Sequence, residues 1–269
     1  MAALFPLPFF GLVSSGIVAM NAQLRGGYDA LADCALALML LAVMAGFVGL
    51  DFGLVMGAAA LSWLIMAGLG NIVAATRSMT LAIQASVVLA LLALLGLELI
   101  IGDPVRFWSP ILEQAYADLA AQGVDIQVDI ASQAKITGAA LVAGTLIGTL
   151  LSLLLGSAWA RAVKPDLAVQ PFAELRLGYV IGGLAALSGL GVMFDWSSAG
   201  ALLVFGTAFM FQGIAVLAWW AGRFNWPAGW WLGLLAVAVL LPQMFVLLIM
   251  VLATVGFVDN WYGLRRFVF

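Results

Sequence analysis

Four amide side chains interrupt otherwise apolar stretches of this chain, and they are its most informative polar groups. They are Asn71, Gln84, Gln212 and Gln243. A neutral amide has both donors and acceptors, so inside a membrane it must pair with another polar group or face a polar solute. We take all four as candidate ligand-binding residues, with hydrogen bonding between helices as the structural alternative. Neutral amides, with Glu98 the one acid near them, argue against a proton-driven pump.

The residues of common catalytic and metal sites are scarce. The chain has no histidine and one cysteine, Cys34, so the usual ligands of zinc, haem and copper are lacking. It has no P-loop, no HExxH and no GxSxG motif, the marks of nucleotide, peptide and ester hydrolysis. We expect no enzyme activity, no metal and no cofactor, and the small net charge of −3 gives no reason to expect nucleic-acid binding.

Composition identifies the elements that must position these amides. Hydrophobic residues make up 65% of the chain and charged residues 9%, which is typical of an integral membrane protein. The apolar runs are continuous and do not alternate, so they predict helices and exclude an outer-membrane barrel. We predict an all-α polytopic transmembrane helical bundle that forms one membrane domain over residues 1–269. Its eight spans are 4–24, 30–50, 52–75, 79–101, 136–160, 178–194, 197–222 and 229–257.

The longest polar interval, residues 102–135, contains a helical pattern of its own. Apolar side chains recur there at helical spacing, at Ile111, Leu112, Ala115, Tyr116 and Leu119. The pattern predicts a short amphipathic helix outside the membrane, which lies on the bilayer or covers the bundle. A packed lid and a gate over a binding cavity are both consistent with it.

Small residues recur every fourth position in two of the predicted spans. The first span has Gly11, Ser15 and Ala19, and the fifth has a longer series that includes Gly144, Gly148, Ser152 and Gly156. Such stripes allow helix backbones to approach closely. We interpret them as helix-packing surfaces within the bundle or as contacts with a separate integral membrane protein.

The distribution of cations predicts the orientation. If the helices alternate, one face carries Arg25, Arg77, Arg161, Lys164, Arg176 and Arg223, and the other carries Arg106, Lys135, Arg265 and Arg266. The first face has more cations in short loops and is therefore predicted to be cytoplasmic. The terminal arginine pair runs against this rule, and it moves inside if segment 178–194 does not cross fully.

The segment GFVDNWYGLRR, residues 256–266, follows a long apolar run and combines charged with aromatic residues. Its notable members are Asp259, Trp261, Arg265 and Arg266. Aromatic rings and arginines at the end of a span anchor it at the headgroup level. A more specific role is an ion pair from Asp259 to Arg265 or Arg266 that holds the tail across the end of the bundle.

Three segments carry a resemblance to a known family. FAELRLGYV at 172–180, VFGTAFMFQGIAVLAWWAGR at 204–223 and the run from LLPQMF to GFVDNWYGLRR resemble the YybS-like bacterial inner-membrane family of unknown function. That family is distantly similar to the S components of energy-coupling factor transporters, which capture a small solute and rely on a partner for energy. The resemblance implies a multi-pass protein of the bacterial inner membrane.

Two functional hypotheses follow from the residues and the resemblance together. In the first, the chain is a solute-binding subunit with a cavity lined by Gln84, Gln212 and Gln243. Its partners are then the lipid bilayer, a small solute and another integral membrane protein. In the alternative, it is a non-transporting scaffold or assembly factor whose small-residue stripes bind other membrane proteins.

Overall fold

The computed structural model describes residues 8–48, 52–123, 128–194, 199–227, 229–233, 236 and 242–266, and within these ranges the regular structure is helical, without strands. The principal helices are α1 (Pro8–Arg25), α2 (Gly27–Val48), α3 (Phe52–Thr76), α4 (Met79–Ile101), α5 (Pro104–Ala121), α6 (Ile130–Val163), α7 (Gly178–Met193), α8 (Ala199–Arg223) and α9 (Pro242–Tyr262). Short 3-10 turns occur at Phe172–Glu174 and Leu264–Arg266. The predicted all-α class is therefore confirmed.

Five of the described helical segments are long and apolar enough to cross a membrane. They are Met56–Thr76, Met79–Ile101, Ile130–Val163, Ala199–Arg223 and Met244–Tyr262. A membrane protein is what the composition predicts, and the count of eight spans stays a prediction. Helix α7 is apolar but has only 16 residues. It is about 24 Å long, which is shorter than a hydrocarbon core of about 30 Å.

The chain forms two compact units. The first comprises Met1–Ser86 with Ile147–Leu175, and the second comprises Val87–Leu146 with Arg176–Phe269. Two of the three boundaries fall inside α4 and α6, so each of these helices contributes residues to both units, and the third lies between Leu175 and Arg176.

Small residues of α1 form the centre of the first unit. Ala19 and Ala22 are fully buried. A Cβ atom placed on Gly70 of α3 would lie 2.8 Å from the carbonyl oxygen of Ala19, and one placed on Gly156 of α6 would collide with the carbonyl of Gly16. Glycine is required at both positions because the backbones are in contact there. Polar bonds reinforce the packing, as Gln23 Nε2 donates to Ser157 Oγ at 2.8 Å.

Gln170 attaches the segment after α6 to the turn between α3 and α4, also within the first unit. Its Oε1 accepts from the backbone N–H of Thr80 at 3.1 Å, and its own backbone N–H donates to the carbonyl of Arg77 at 2.9 Å. Ser78 Oγ donates to the same Oε1. These bonds place the turn at residues 77–80 and the segment around residue 170 at one end of this unit.

Glycines bring α8 and α9 together in the second unit. A side chain on Gly213 would collide with the carbonyl of Leu252, and one on Gly256 would collide with the carbonyl of Phe209. The ring of Phe209 packs edge-on against Phe257 at a centroid distance of 5.3 Å. In the most apolar stretch of each helix, 61% of α8 is buried but only 22% of α9. Helix α8 is therefore the more deeply buried of the two.

The predicted amphipathic helix is present as α5. Asp103 caps its first turn, because Oδ1 accepts from the N–H groups of Val105 and Arg106 at 2.9 and 3.2 Å. Its half-buried face contains Trp108, Leu112, Tyr116 and Leu119. Two residues assigned to the apolar face are exposed, namely Ile111 and Ala115. The side of α5 that packs within the protein is the row from Trp108 to Leu119, and the assignment of Ile111 and Ala115 to an apolar face toward the bilayer stays a prediction.

Candidate functional site

A cavity of about 530 Å³ lies in the second unit, where α5 meets the neighbouring helices. Its walls come from the end of α4, the start of α5, the start of α6 and the start of α8. The lining residues are Leu94, Leu97, Glu98, Ile101, Gly102, Pro104, Trp108, Ser132, Lys135, Ile136, Gly138, Ala139, Ala199 and Gly200. The volume lies within the usual range of small-molecule sites, about 300–1,000 Å³.

The walls are mainly aliphatic and include two residues of opposite charge, Glu98 and Lys135. They come from different helices, α4 and α6, and they do not form an ion pair with each other in the part of the chain that the structure describes. Ser132 contributes a hydroxyl and Trp108 an indole. A mainly apolar ligand with a charged end matches this lining.

Two glycines keep the cavity open. A Cβ atom on Gly200 of α8 would lie 3.2 Å from both Ala139 and Leu94 and 3.5 Å from a carboxylate oxygen of Glu98. One on Gly138 of α6 would lie 3.0 Å from Leu97. The carboxylate of Glu98 thus lies beside the first turn of α8, where the helix dipole stabilises negative charge.

Asp129 fixes the first turn of α6, which carries the cavity residues Ser132 and Lys135. Its Oδ1 accepts from the N–H groups of Ala131 and Ser132 at 3.1 and 3.3 Å, and its Oδ2 accepts from the hydroxyl of Ser132. The hydroxyl bond from Ser132, followed by the backbone bond, lowers the pKa of the Asp129 carboxyl below its ordinary value. The cap therefore remains ionised at neutral pH, with Ser132 held in place at the cavity.

Gln212 has internal partners for both ends of its amide. It is fully buried, its Oε1 accepts from the N–H of Leu177 at 2.9 Å, and its Nε2 donates to Asp259 Oδ2 at 3.0 Å. It is not a lining residue of the cavity. Hydrogen bonding between elements, the alternative to ligand binding, accounts for this residue.

The other three candidate amides lie in different surroundings. Asn71 is exposed near the end of α3, with its side chain against Gly27 of α2. Gln84 is half-buried in α4 and has a polar contact. Gln243 is the second residue of α9, and its side chain lies outside the described residues. The described amides Asn71 and Gln84 belong to the first unit and Gln212 to the second. A common binding role for the set stays a prediction.

The tail segment forms a polar cluster around Asp259, which is fully buried. Arg265 Nη2 lies 2.6 Å from Asp259 Oδ2, and Arg265 Nε donates to Oδ1 at 3.3 Å. Arg176 Nη2 donates to the Asp259 carbonyl at 3.3 Å. Of the two predicted pairs, the structure forms the one with Arg265. The ring of Trp261 packs against Tyr179 at a centroid distance of 5.6 Å.

This cluster corrects the predicted orientation. Helix alternation assigned Arg176 to one face of the membrane and Arg265 and Arg266 to the other. That assignment is wrong, because Arg176 and Arg265 both contact Asp259. The segment between these two arginines includes the short helix α7, which the prediction named as the span that does not cross fully if the tail lies inside.

The two small-residue stripes meet each other over part of their length. Ser152 Oγ donates to the carbonyl of Leu12 at 3.1 Å, and Gly156 packs against Gly16 and Ala19. In the first span, Ser15 is buried and its hydroxyl is 3.0 Å from that of Ser62, whereas Gly11 is exposed. These contacts lie within the first unit.

The stripe on α6 changes character toward the start of the helix. Gly144 is exposed and Gly148 is half-buried, and a Cβ atom on either would have no neighbour within 4 Å among the residues that the structure describes. The two ends of the stripe are therefore different surfaces, one packed against α1 and one open.

Sequence reasoning missed most of the cavity. Trp108, Lys135, Gly138 and Gly200 belong to three helices, and a Gly or Trp gives no sign that it borders a cavity. The residue that could have indicated the cavity is Glu98, because an acid at the end of an apolar helix is costly unless it pairs with a polar group or faces a cavity. The contact of Asn260 in the tail was also not predicted: its amide makes two 2.9 Å bonds to the backbone of Gly178.

A scan against protein-family models, a search of curated proteins and a search of solved structures each returned no match.

Proposed function

We propose that this chain is a multi-pass membrane protein that binds a small solute in the cavity beneath α5 and needs a partner protein to supply energy. The observation that carries the proposal is the 530 Å³ cavity with a mainly aliphatic lining and the charged residues Glu98 and Lys135. Deep apolar pockets with a few polar groups are the usual form of a ligand site.

The lining predicts the general chemistry of the ligand. Leu94, Leu97 and Ile101 offer surface to an apolar body, and the indole of Trp108 adds an aromatic wall. A charged group on the ligand would lie near Glu98 or Lys135 according to its sign. In this proposal α5 is the cover of the site, since it contributes Trp108 and Pro104 to the wall.

The proposed need for a partner follows from the sequence. No nucleotide-binding P-loop motif is present, so transport would require energy from another protein or from a gradient. The resemblance to S components supports the same arrangement, and the bacterial inner membrane is the location that it proposes.

The test is ligand retention through purification, with one variant that fills the cavity. We expect untargeted mass spectrometry of the purified full chain to detect a retained small molecule, and Gly138→Leu to lose it. The added side chain would start 3.0 Å from Leu97 and 3.6 Å from Trp108 Nε1. Gly144→Leu in the same helix is the matched control, because that position is open.

Two outcomes would contradict the proposal. One is wild-type protein that carries no molecule above the detergent and lipid background. The other is Gly138→Leu protein that folds normally and retains as much of the molecule as wild type and Gly144→Leu do.

The alternative function, a scaffold for other membrane proteins, is favoured by one specific observation. At the open end of the α6 stripe, a Cβ atom placed on Gly144 or Gly148 would meet no described neighbour within 4 Å, and small residues suit close contact with a partner helix. An empty cavity, together with a membrane protein that copurifies with wild type and is lost from Gly144→Leu, would favour this alternative.

A further inference from the structure

Arginines from two distant parts of the sequence converge at Gly263, just after the end of α9. Gly263 has a left-handed backbone, with φ of +64°. A Cβ atom placed on it would lie 2.7 Å from Arg176 Nη2 and 3.4 Å from Arg266 Nε. Arg265, the next residue but one, binds Asp259. The missing side chain of Gly263 thus leaves room for two guanidinium groups.

Among the described residues, this arginine cluster has three guanidinium groups, from Arg176, Arg265 and Arg266, and one carboxylate, from Asp259. Arg265 occupies both oxygens of the Asp259 carboxylate, because its Nη2 pairs with Oδ2 and its Nε donates to Oδ1. Oδ2 of Asp259 also accepts from Gln212. Arg176 reaches only the backbone carbonyl of Asp259, and neither Arg176 nor Arg266 forms an ion pair within the ranges that the structure describes.

The surroundings of the cluster have the character of a membrane interface. Tyr179, Trp261 and Tyr262 are 67%, 42% and 72% exposed, and Val180 beside them is 78% exposed. Exposed aromatic rings of this kind favour the headgroup level of a bilayer, with apolar side chains toward the acyl chains. Arginine at that level binds phosphate through two parallel hydrogen bonds.

We propose that Arg176 and Arg266 form a binding site for a phosphate group, supplied by the headgroup of an acidic phospholipid. Arg265 is already neutralised by Asp259 and serves to hold the tail, so that Arg266 projects beside Arg176. This site is separate from the cavity residues and does not depend on the proposed solute.

The experiment is native mass spectrometry of the delipidated full chain, titrated with phosphatidylglycerol or with phosphatidylcholine. Wild type is expected to retain phosphatidylglycerol preferentially. Arg266→Gln should reduce that retention about five-fold, which corresponds to the binding free energy of about 1 kcal/mol that one cation contributes near an anionic surface. Arg266 is exposed, so the variant should fold normally. Arg106→Gln is the control, because Arg106 is also exposed but lies on α5.

A second variant and a second anion separate the remaining outcomes. Arg176→Gln should give a similar loss, with an unchanged preference in Arg106→Gln. If inorganic phosphate raises the melting temperature of wild type but not of Arg266→Gln, the phosphate site stands and its source is a free anion. Equal retention of both lipids by wild type, or equal phosphatidylglycerol retention by wild type and folded Arg266→Gln, would overturn the proposal.

Discussion

Asp259 is the centre of a buried polar cluster in the second unit. It is fully buried, and a buried carboxylate is costly unless it is paired and hydrogen-bonded. Arg265 supplies the opposite charge, and Gln212 supplies a further donor to Oδ2. The bonds connect α8, α9 and the short turn after α9. Gln212 therefore has a physical role in the middle of an apolar helix, since its amide binds Asp259, 47 positions later in the chain.

Replacing Gln212 tests this explanation at the residue scale. We expect Gln212→Leu to lower the free energy of unfolding by about 1–2 kcal/mol, because it removes two bonds and leaves the N–H of Leu177 without its acceptor. Thermal unfolding of the purified chain in detergent measures the change.

Thr207→Val is the matched control in the same helix. Thr207 is buried, but its hydroxyl bonds only to the carbonyl of Leu203 one turn earlier. Thr207→Val is therefore expected to change the free energy of unfolding only slightly. Gln212→Leu protein that unfolds at the wild-type temperature would show that the cluster does not depend on this amide.

At the scale of elements, glycine affects stability in opposite directions at two positions of helix α6. Near Gly156 the backbones of α6 and α1 touch, so the absence of a side chain is a requirement of packing. Near Gly148 the described residues leave the space open, and glycine there raises the conformational entropy of the unfolded chain without serving a close contact among them. The regular four-residue spacing does not distinguish the two cases.

Alanine substitutions at these two glycines should change stability in opposite directions. Gly156→Ala is expected to destabilise the protein by about 1–3 kcal/mol, because its Cβ would collide with Gly16 and lie 2.8 Å from the Cβ of Ala19. Gly148→Ala should be neutral or stabilising by up to about 1 kcal/mol, since alanine is the better helix former. Melting temperatures of the two variants, measured side by side, check the signs. A Gly156→Ala variant as stable as Gly148→Ala would mean that α1 and α6 are not in contact at this point.

At the scale of the whole molecule, the contacts of the tail bear on its orientation in the membrane. Within the second unit, Arg176 donates to the carbonyl of Asp259, and Arg265 pairs with the carboxylate of the same residue. We therefore predict that the tail arginines lie on the same face of the membrane as Arg176. The positive-inside rule predicts that this face is cytoplasmic.

Site-directed labelling tests this orientation. In a Cys34→Ala background, cysteines introduced at Ser78, Lys164 and Arg266 should react with a membrane-impermeant reagent only from the cytoplasmic side. One introduced at Gln122, after α5, should react only from the outside. Labelling of position 266 from the outside, with 78 and 164 labelled from the cytoplasm, would restore the alternating arrangement and refute the shared face.

The sequence by itself determined the class of this protein and the character of its elements. With 65% hydrophobic residues in continuous runs, the chain must satisfy its backbone polar groups inside each segment, and only helices do so in a membrane. The amphipathic helix α5 was predictable for a similar reason, because helical periodicity is a local property of the chain. Local patterns also predicted the small-residue stripes and the pairing of Asp259 with a neighbouring arginine.

Only the tertiary structure decided which distant residues meet. Glu98 and Lys135 line one cavity, and Arg176 lies beside Arg266, although each pair is separated by many residues in the sequence. Contacts between residues of different helices depend on where each helix ends and on the direction in which it packs. The pattern of residues within a single helix does not specify them. The same limit applies to Gln212, because its partners Leu177 and Asp259 become neighbours only after α7, α8 and α9 have packed.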